Sequence, residues 1–209
     1  MIRVASSDVK AALRQQAGAG PLRLARLGSE RFDILIIGGG ITGAYAAFDA
    51  ALRGHKVALV EKGDFASGTS SKSSKMIHGG LRYLQQANVR LVAHSLLERQ
   101  RLRNNASFLV QRLPFIFPVM MRHGVFDRRL SLGFSAALSA YDVLGGYREG
   151  VLHRKLSRDE LLVHAPTLKP EQLINGFLFY DARADDARLS LAVARSAAAL
   201  GAAIANYTR

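Results

Sequence analysis

The sequence predicts an α/β chain organised around a parallel, doubly wound sheet, and three observations predict it. A continuous apolar run, Ile34, Leu35, Ile36 and Ile37, meets glycines at positions 38, 40 and 43. Apolar positions at helical spacing follow (Ala44, Ala47, Phe48, Ala51 and Leu52), and Gly54 stands where a helix C-terminus takes glycine. A second apolar run, Lys56-Val-Ala-Leu-Val60, then ends on Glu61. Strand, glycine turn, helix, strand and acid in that order make a βαβ unit. Three of the four residues of the first run are β-branched, which suits a central parallel strand covered on both faces.

Gly38, Gly40 and Gly43 fall at the spacing G-x-G-x-x-G. In that spacing the first glycine makes a tight turn and the second lets the backbone approach a pyrophosphate. The third lets the helix pack close to the strand. The helix start offers free N–H groups and the positive end of the dipole, so a diphosphate needs no dedicated basic side chain there. Glu61 lies close to the offset at which an acid meets ribose hydroxyls. These features together favour a dinucleotide-binding unit over a purely structural βαβ unit.

Composition narrows the class. With 209 residues, 49% hydrophobic and 22% charged, the chain is long enough to bury a core. The most apolar stretch, residues 130–144, is too short for a bilayer span and is broken by serines and Asp142. No cysteine is present, which excludes disulfides, thiol catalysis and thiolate metal sites, and no metal site is expected. The net charge of +13 comes largely from arginines scattered on helical segments, without a recognition-helix pattern or aromatic platform. We read it as a solvated basic surface and expect no nucleic-acid partner.

Residues 1–30 are rich in alanine and arginine and are expected to form a disordered or loosely docked extension, with a short helix over 9–16 capped by Ser7-Asp8. Residues 62–75 read as a linker by composition, yet they follow the carboxyl end of a parallel strand, where loops line the ligand crevice. Residues 76–84 place Gly79-Gly80 beside His78 and Arg82, and a double glycine lets a bulky ligand approach the backbone.

A long helix is predicted over 88–105, with Val89, Val92, Leu96 and Leu102 on one face and Arg90, Glu98, Arg99 and Arg103 on the other. Residues 113–121 are extended and apolar, held by Pro114 and Pro118, as a core or edge strand. A helix over 126–144 follows. Its flanking Arg122, Arg128 and Arg129 would suit shallow contact with anionic lipid, though ordinary packing is the preferred reading. Ser157 and Glu160 form a capping box for a helix to about 163. A strand over 171–180, a turn, a helix from 186 to 200 and a third parallel strand over 203–207 complete the chain, with Asp185 and Asp186 as helix-start acids.

Three stretches carry a family resemblance: Gly38-Gly-Gly-Ile-Thr-Gly43, Thr69-Ser-Ser-Lys-Ser-Ser-Lys-Met-Ile-His-Gly-Gly-Leu-Arg-Tyr-Leu84 and Asp185-Asp-Ala-Arg-Leu189. From about Phe32 to the last residue the chain resembles the FAD-dependent glycerol-3-phosphate dehydrogenases of the aerobic type, and the middle stretch is the most specific. The resemblance implies a Rossmann-like FAD-binding domain over 31–87 and 183–209, with an inserted α+β substrate-side segment over 88–182. It also implies that the chain is a fragment, roughly the first third of such an enzyme, holding the first half of the sheet.

By the same resemblance the reaction is oxidation of sn-glycerol 3-phosphate at C2 to dihydroxyacetone phosphate, with electrons passed to a quinone. The setting implied is the cytoplasm, peripheral to the inner face of the cell membrane. Gly38, Gly39, Gly40, Ile41, Thr42 and Gly43 are carried over to the FAD diphosphate turn and Glu61 to the ribose, with Lys62 also cofactor-binding. Thr69, Ser70, Ser71, Ser74 and the segment His78, Gly79, Gly80 and Leu81 would lie along the isoalloxazine side, and Arg82 would pair with the substrate phosphate. His78 is either the group that takes the hydroxyl proton or a neutral ring that positions the flavin. Two other readings stay open: an FAD oxidoreductase of the amine or amino-acid oxidase type, and a non-catalytic FAD-binding remnant.

Overall fold

The computed structural model describes residues 20–121, 128–147 and 150–208. The chain divides into two compact units, Met1–Lys75 with Asp185–Arg209, and Met76–Ala184. The helix expected over 9–16 lies outside the described residues.

The first unit begins with α1 (Gly20–Ser29), then β1 (Ile34–Ile37), α2 (Ile41–Leu52) and β2 (Val57–Val60). Helix α1 falls inside the segment expected to be disordered or loosely docked. Pro21 stands in its first turn, where the missing N–H costs nothing, and Arg26 donates to the Gly201 carbonyl at 3.2 Å. The three-stranded sheet runs β1-β2-β7, with β7 spanning Ala203–Ala205, all parallel, with Ile34 opposite Val57 and Ala58 opposite Ala203. Its third strand arrives late in the chain, as β7 (Ala203–Ala205), after α6 (Asp186–Ala199).

One face of this sheet is covered. Ala44, Ala47, Ala50 and Ala51 of α2 and Ala194, Ala197 and Ala198 of α6 form a core cluster with Val57, Leu59 and Ile204. Alanines let both helices approach the strands closely. The other face differs from expectation, because β1 was predicted to be central and covered on both sides. Among the described residues β1 pairs only with β2, and Leu35 and Ile37 are 61% and 83% exposed. An apolar run reports what a strand can bury, and among the described residues one of its faces has no neighbour.

The second unit is an antiparallel sheet with helices. It contains β3 (Met76–Ile77), α3 (Val89–Asn105), β4 (Val110–Met120), α4 (Arg128–Tyr141), β5 (Arg154–Leu156), α5 (Arg158–His164) and β6 (Leu173–Ala184). Strand β6 is its spine: β4 runs along one side, and β3 and β5 pair with the other. Pro114 and Pro118 lie opposite Tyr180 and Gly176 on the edge strand β4, where a missing ladder donor is tolerated. Val92, Leu96, Leu138, Tyr141, Phe177 and Phe179 form the main core, and Leu156, Leu161 and Leu173 a smaller one.

Caps agree with the residues that predict them. Ser157 Oγ accepts from the Glu160 N–H at 3.2 Å while Glu160 accepts from the Ser157 N–H at 2.8 Å, closing the capping box on α5. Asn88 caps α3 through Leu91. On α3, however, the buried residues are Val92, Leu96 and Arg99, while Val89 is 49% exposed. Arg99 was expected on the solvated face, and its burial bears on the site described below.

Candidate functional site

In the first unit the chemistry-bearing residues gather where β1 turns into α2. Gly38 adopts φ +114°, a conformation that side chains disfavour, and its N–H donates to the Val60 carbonyl at 2.8 Å. A Cβ on Gly43 would lie 2.0 Å from the Gly38 carbonyl oxygen, and one on Gly39 would lie 2.6 Å from the Phe65 ring. Only glycine fits either place, so the turn is a cradle that side chains would fill. Gly40 caps α2 without a side-chain acceptor, and the α2 dipole points into the turn.

Glu61 sits against this turn. One of its oxygens accepts from the Gly39 N–H at 2.7 Å and the other from the Gly63 N–H at 2.8 Å. Those backbone donors, Gly39 first, hold its carboxyl below the usual carboxylate range, so it stays ionised. Glu61, Lys62, Gly38, Leu35 and Ile37 line a cavity of about 660 Å³. Lys62 and Thr42 are exposed at the surface. Ser70, on a 3-10 turn over Thr69–Ser71, accepts from the Ile41 N–H at 2.9 Å and so reaches the start of α2. Ser71 donates back to the Gly68 carbonyl at 3.4 Å, while Thr69 and Ser74 are exposed.

The loop that carries these hydroxyls is tied down by the acids at the start of α6. Asp185 caps the helix through the Arg188 N–H at 3.1 Å, as expected. Asp186 instead accepts from the Ser73 hydroxyl at 2.7 Å, and this bond before any other lowers its pKa. Lys75 completes the tie at 3.7 Å from Asp186.

In the second unit a cavity of about 460 Å³ is walled by Phe115, Phe117, Phe134 and Phe179, with His78 and Arg82 among its lining residues. Both have exposed side chains. Gly80 adopts φ +76° and starts the 3-10 helix Leu81–Gln86, whose first turn holds Arg82. Tyr83 is likewise exposed and lines the same cavity. Gly79 is buried beneath this rim, where a Cβ would lie 2.3 Å from Leu96 and 2.4 Å from the Tyr141 hydroxyl.

Three residues that the sequence reading passed over meet there. Tyr141 and Asp181 both accept from the Gly79 N–H, at 2.8 and 3.1 Å. Tyr141 donates to Asp181 at 2.5 Å, and Arg99 pairs with Asp181 while also donating to Tyr141 and to the Tyr180 carbonyl at 3.1 Å. Burial, and then the Asp181 carboxylate, push the Tyr141 hydroxyl well above the usual phenol range, so it remains a donor at any working pH. The helical spacing of Arg99 from Val92 and Leu96 was the signal available for it. Among the described residues no cluster of acids and histidines could hold a metal ion.

Comparison with known proteins places this geometry. The model of the FAD dependent oxidoreductase family matches residues 33–209. The chain belongs to that family. Glycerol-3-phosphate dehydrogenase 2 of Mycobacterium tuberculosis is 47% identical over 193 residues, covering 90% of this chain and 32% of the relative. Aerobic glycerol-3-phosphate dehydrogenase of Staphylococcus aureus is 43% identical over 183 residues, 88% of this chain and 32% of the relative. The chain thus spans about a third of the length of these curated relatives.

Among solved structures, glycerol-3-phosphate dehydrogenase from Bacillus halodurans complexed with FAD superposes with a TM-score of 0.64 at 29% identity, over 95% of this chain and 30% of that one. L-alpha-glycerophosphate oxidase from Mycoplasma pneumoniae, with a TM-score of 0.65 over 86% of this chain and 46% of that one, is 23% identical and shares the fold. A Rossmann-like α/β architecture is therefore established for the family stretch.

Proposed function

We propose that this chain carries the cofactor cradle and the substrate-side sheet of a flavoenzyme that oxidises sn-glycerol 3-phosphate at C2 to dihydroxyacetone phosphate. The supporting observation is the 47% identity to the Mycobacterium tuberculosis relative across 90% of the chain, joined to a turn that admits only glycine at 39 and 43. These residues fit FAD: a side-chain-free turn at a helix N-terminus accepts a diphosphate, and an ionised Glu61 accepts from ribose hydroxyls. When bound, FAD supplies the hydride acceptor for the C2 carbon.

The chain's own residues have separate tasks. The side-chain-free turn at 38–43 and the positive end of α2 hold the diphosphate, while the Gly38, Gly39 and Ile41 N–H groups brace the turn itself against Val60, Glu61 and Ser70. On the second unit, Arg82 presents a planar, exposed donor pair to the substrate phosphate. His78, on the same rim, takes the proton from the C2 hydroxyl as the hydride leaves. The aromatic wall keeps water away from the reacting carbon.

The same reading passes the electrons to a quinone and puts the enzyme in the cytoplasm, peripheral to the inner face of the cell membrane. What supports that placement is the net charge of +13, the arginines around α4 and the exposed Leu132 on it. No helix of the described residues is long and apolar enough to cross a membrane.

The test is a chimera in which this chain replaces the matching third of the Mycobacterium tuberculosis relative. Its bound flavin should bleach on anaerobic addition of sn-glycerol 3-phosphate and regain colour with a soluble quinone. Bleaching by amino acids but not by glycerol 3-phosphate would overturn the substrate assignment. Quinone-independent reoxidation by oxygen at the same rate would overturn the acceptor.

A further inference from the structure

Arg99, Tyr141 and Asp181 form a buried polar network beneath the rim of the second unit. The three residues are only 3%, 3% and 5% exposed. They come from three separate elements, the middle of α3, the last residue of α4 and the C-terminal part of β6. Burying an ion pair costs several kcal/mol of desolvation, and apolar residues of similar size commonly stabilise a core as well or better. A fold that keeps such a network in a phenylalanine-rich core has a reason beyond stability.

The geometry points to a positioning role: Arg99, Tyr141 and Asp181 clamp the Gly79 peptide and so hold the His78 to Arg82 rim in its working conformation. Two members of the network converge on the Gly79 N–H. Gly79 has no room for a side chain, since Leu96 and the Tyr141 hydroxyl fill the space where one would stand. Fixing its N–H fixes the peptide that joins it to His78. On the other side follows the left-handed Gly80, which launches the turn bearing Arg82. The network acts through the backbone between these two side chains. Arg99 holds the Asp181 carboxylate in place, and Tyr141 relays the same carboxylate to Gly79 through its own hydroxyl. The assignment rests on the proposed function only for what the rim does, not for how it is held.

Hydrogen exchange on the uniformly ¹⁵N-labelled 209-residue chain tests the clamp. Tyr141→Phe keeps the ring and removes one acceptor, so the Gly79 amide should exchange roughly tenfold faster, while the amides of Phe177 and Leu178 on β6 keep their wild-type rates. Equal acceleration at Gly79, Phe177 and Leu178 would mean general loosening and would overturn the role. Arg99→Lys keeps the charge but removes Nη1, the nitrogen that reaches Tyr141, Tyr180 and Asp181, so it should give the same local pattern and guards against a peculiarity of one variant. In the chimera, Tyr141→Phe should lower kcat roughly tenfold with flavin content and melting temperature unchanged. An unchanged kcat would overturn the functional half of the assignment. The amide measurement needs neither flavin nor substrate, so a wild-type chimera that failed to bleach would count against the glycerol 3-phosphate reading alone.

Discussion

Gly43→Ala is the sharpest perturbation of the cofactor turn. The added Cβ would lie 2.0 Å from the Gly38 carbonyl oxygen, 3.2 Å from its carbon and 3.3 Å from Ile36 Cγ2. The nearest obstacle is backbone, not the end of a flexible side chain, so the start of α2 must back away by about 1.4 Å to reach ordinary contact. That movement parts the Gly38 turn from the helix and opens the alanine-rich packing of α2 against α6. Overpacking of this kind costs about 3 kcal/mol, the upper end of its usual range, because both partners are main chain. For a unit of this size that is roughly 12 °C or more in melting temperature.

Calorimetry of the 209-residue chain reads the shift, and FAD titration should show the diphosphate cradle weakened with it. Gly28→Ala is the matched control. It lies in α1 with nothing within 4 Å of its added methyl, and helix propensity should make it stabilising by up to about 1 kcal/mol. If Gly43→Ala melted within 2 °C of the wild type (roughly half a kcal/mol), the close approach would not be a constraint and the turn's role as a cradle would fall.

Three further outcomes are expected. Arg82→Ala in the chimera should raise the KM for glycerol 3-phosphate roughly 10- to 100-fold, the worth of a charge-assisted hydrogen-bond pair, at unchanged flavin content; flavin lost in step with substrate affinity would refute the phosphate role. Ser157→Ala removes one half of the capping box and should cost about 1 kcal/mol, read as a lower urea midpoint, and an unchanged midpoint would refute the cap's contribution. Glu61 has its folded pKa depressed by the Gly39 and Gly63 N–H groups, so its stabilising contribution is present above its unfolded pKa and is lost as pH falls through the folded value. Urea titrations from neutral pH downward should therefore show a loss of stability that Glu61→Gln makes shallower; identical pH profiles would refute it.

The parts of the fold that were legible in the sequence are those governed by local chemistry. The glycine spacing at 38, 40 and 43, the Ser157 and Glu160 box and the late third strand each follow from a few neighbouring residues, and each is found as expected. Strand β6 runs on to Ala184, beyond the expected end near 180, because its pairing with β3 is a long-range event invisible in local composition. The exposure of Leu35 and Ile37 was hidden for the same reason, since a strand's own residues do not say whether its second face meets a neighbour. For the site, the glycine spacing and the family resemblance pointed to Glu61, His78 and Arg82, but not to what holds them.

Arg99 shows why that second layer escaped. A charged residue among Arg90, Glu98, Arg101 and Arg103 reads as one more solvated cation, and by type that is the sound expectation. By position it is not, because 92, 96 and 99 advance by four and three along one stripe, and the first two are buried aliphatics. A cation on that stripe requires a carboxylate from elsewhere in the fold, and a carboxylate so placed needs further donors. Asp181 supplies the charge, while Tyr141 and the Gly79 N–H supply the donors. Helical phase thus announces that Arg99 has a buried partner, whereas only the packing of α3 and α4 against β6 identifies it. Once identified, the partner set leads directly to the peptide between His78 and the turn of Arg82.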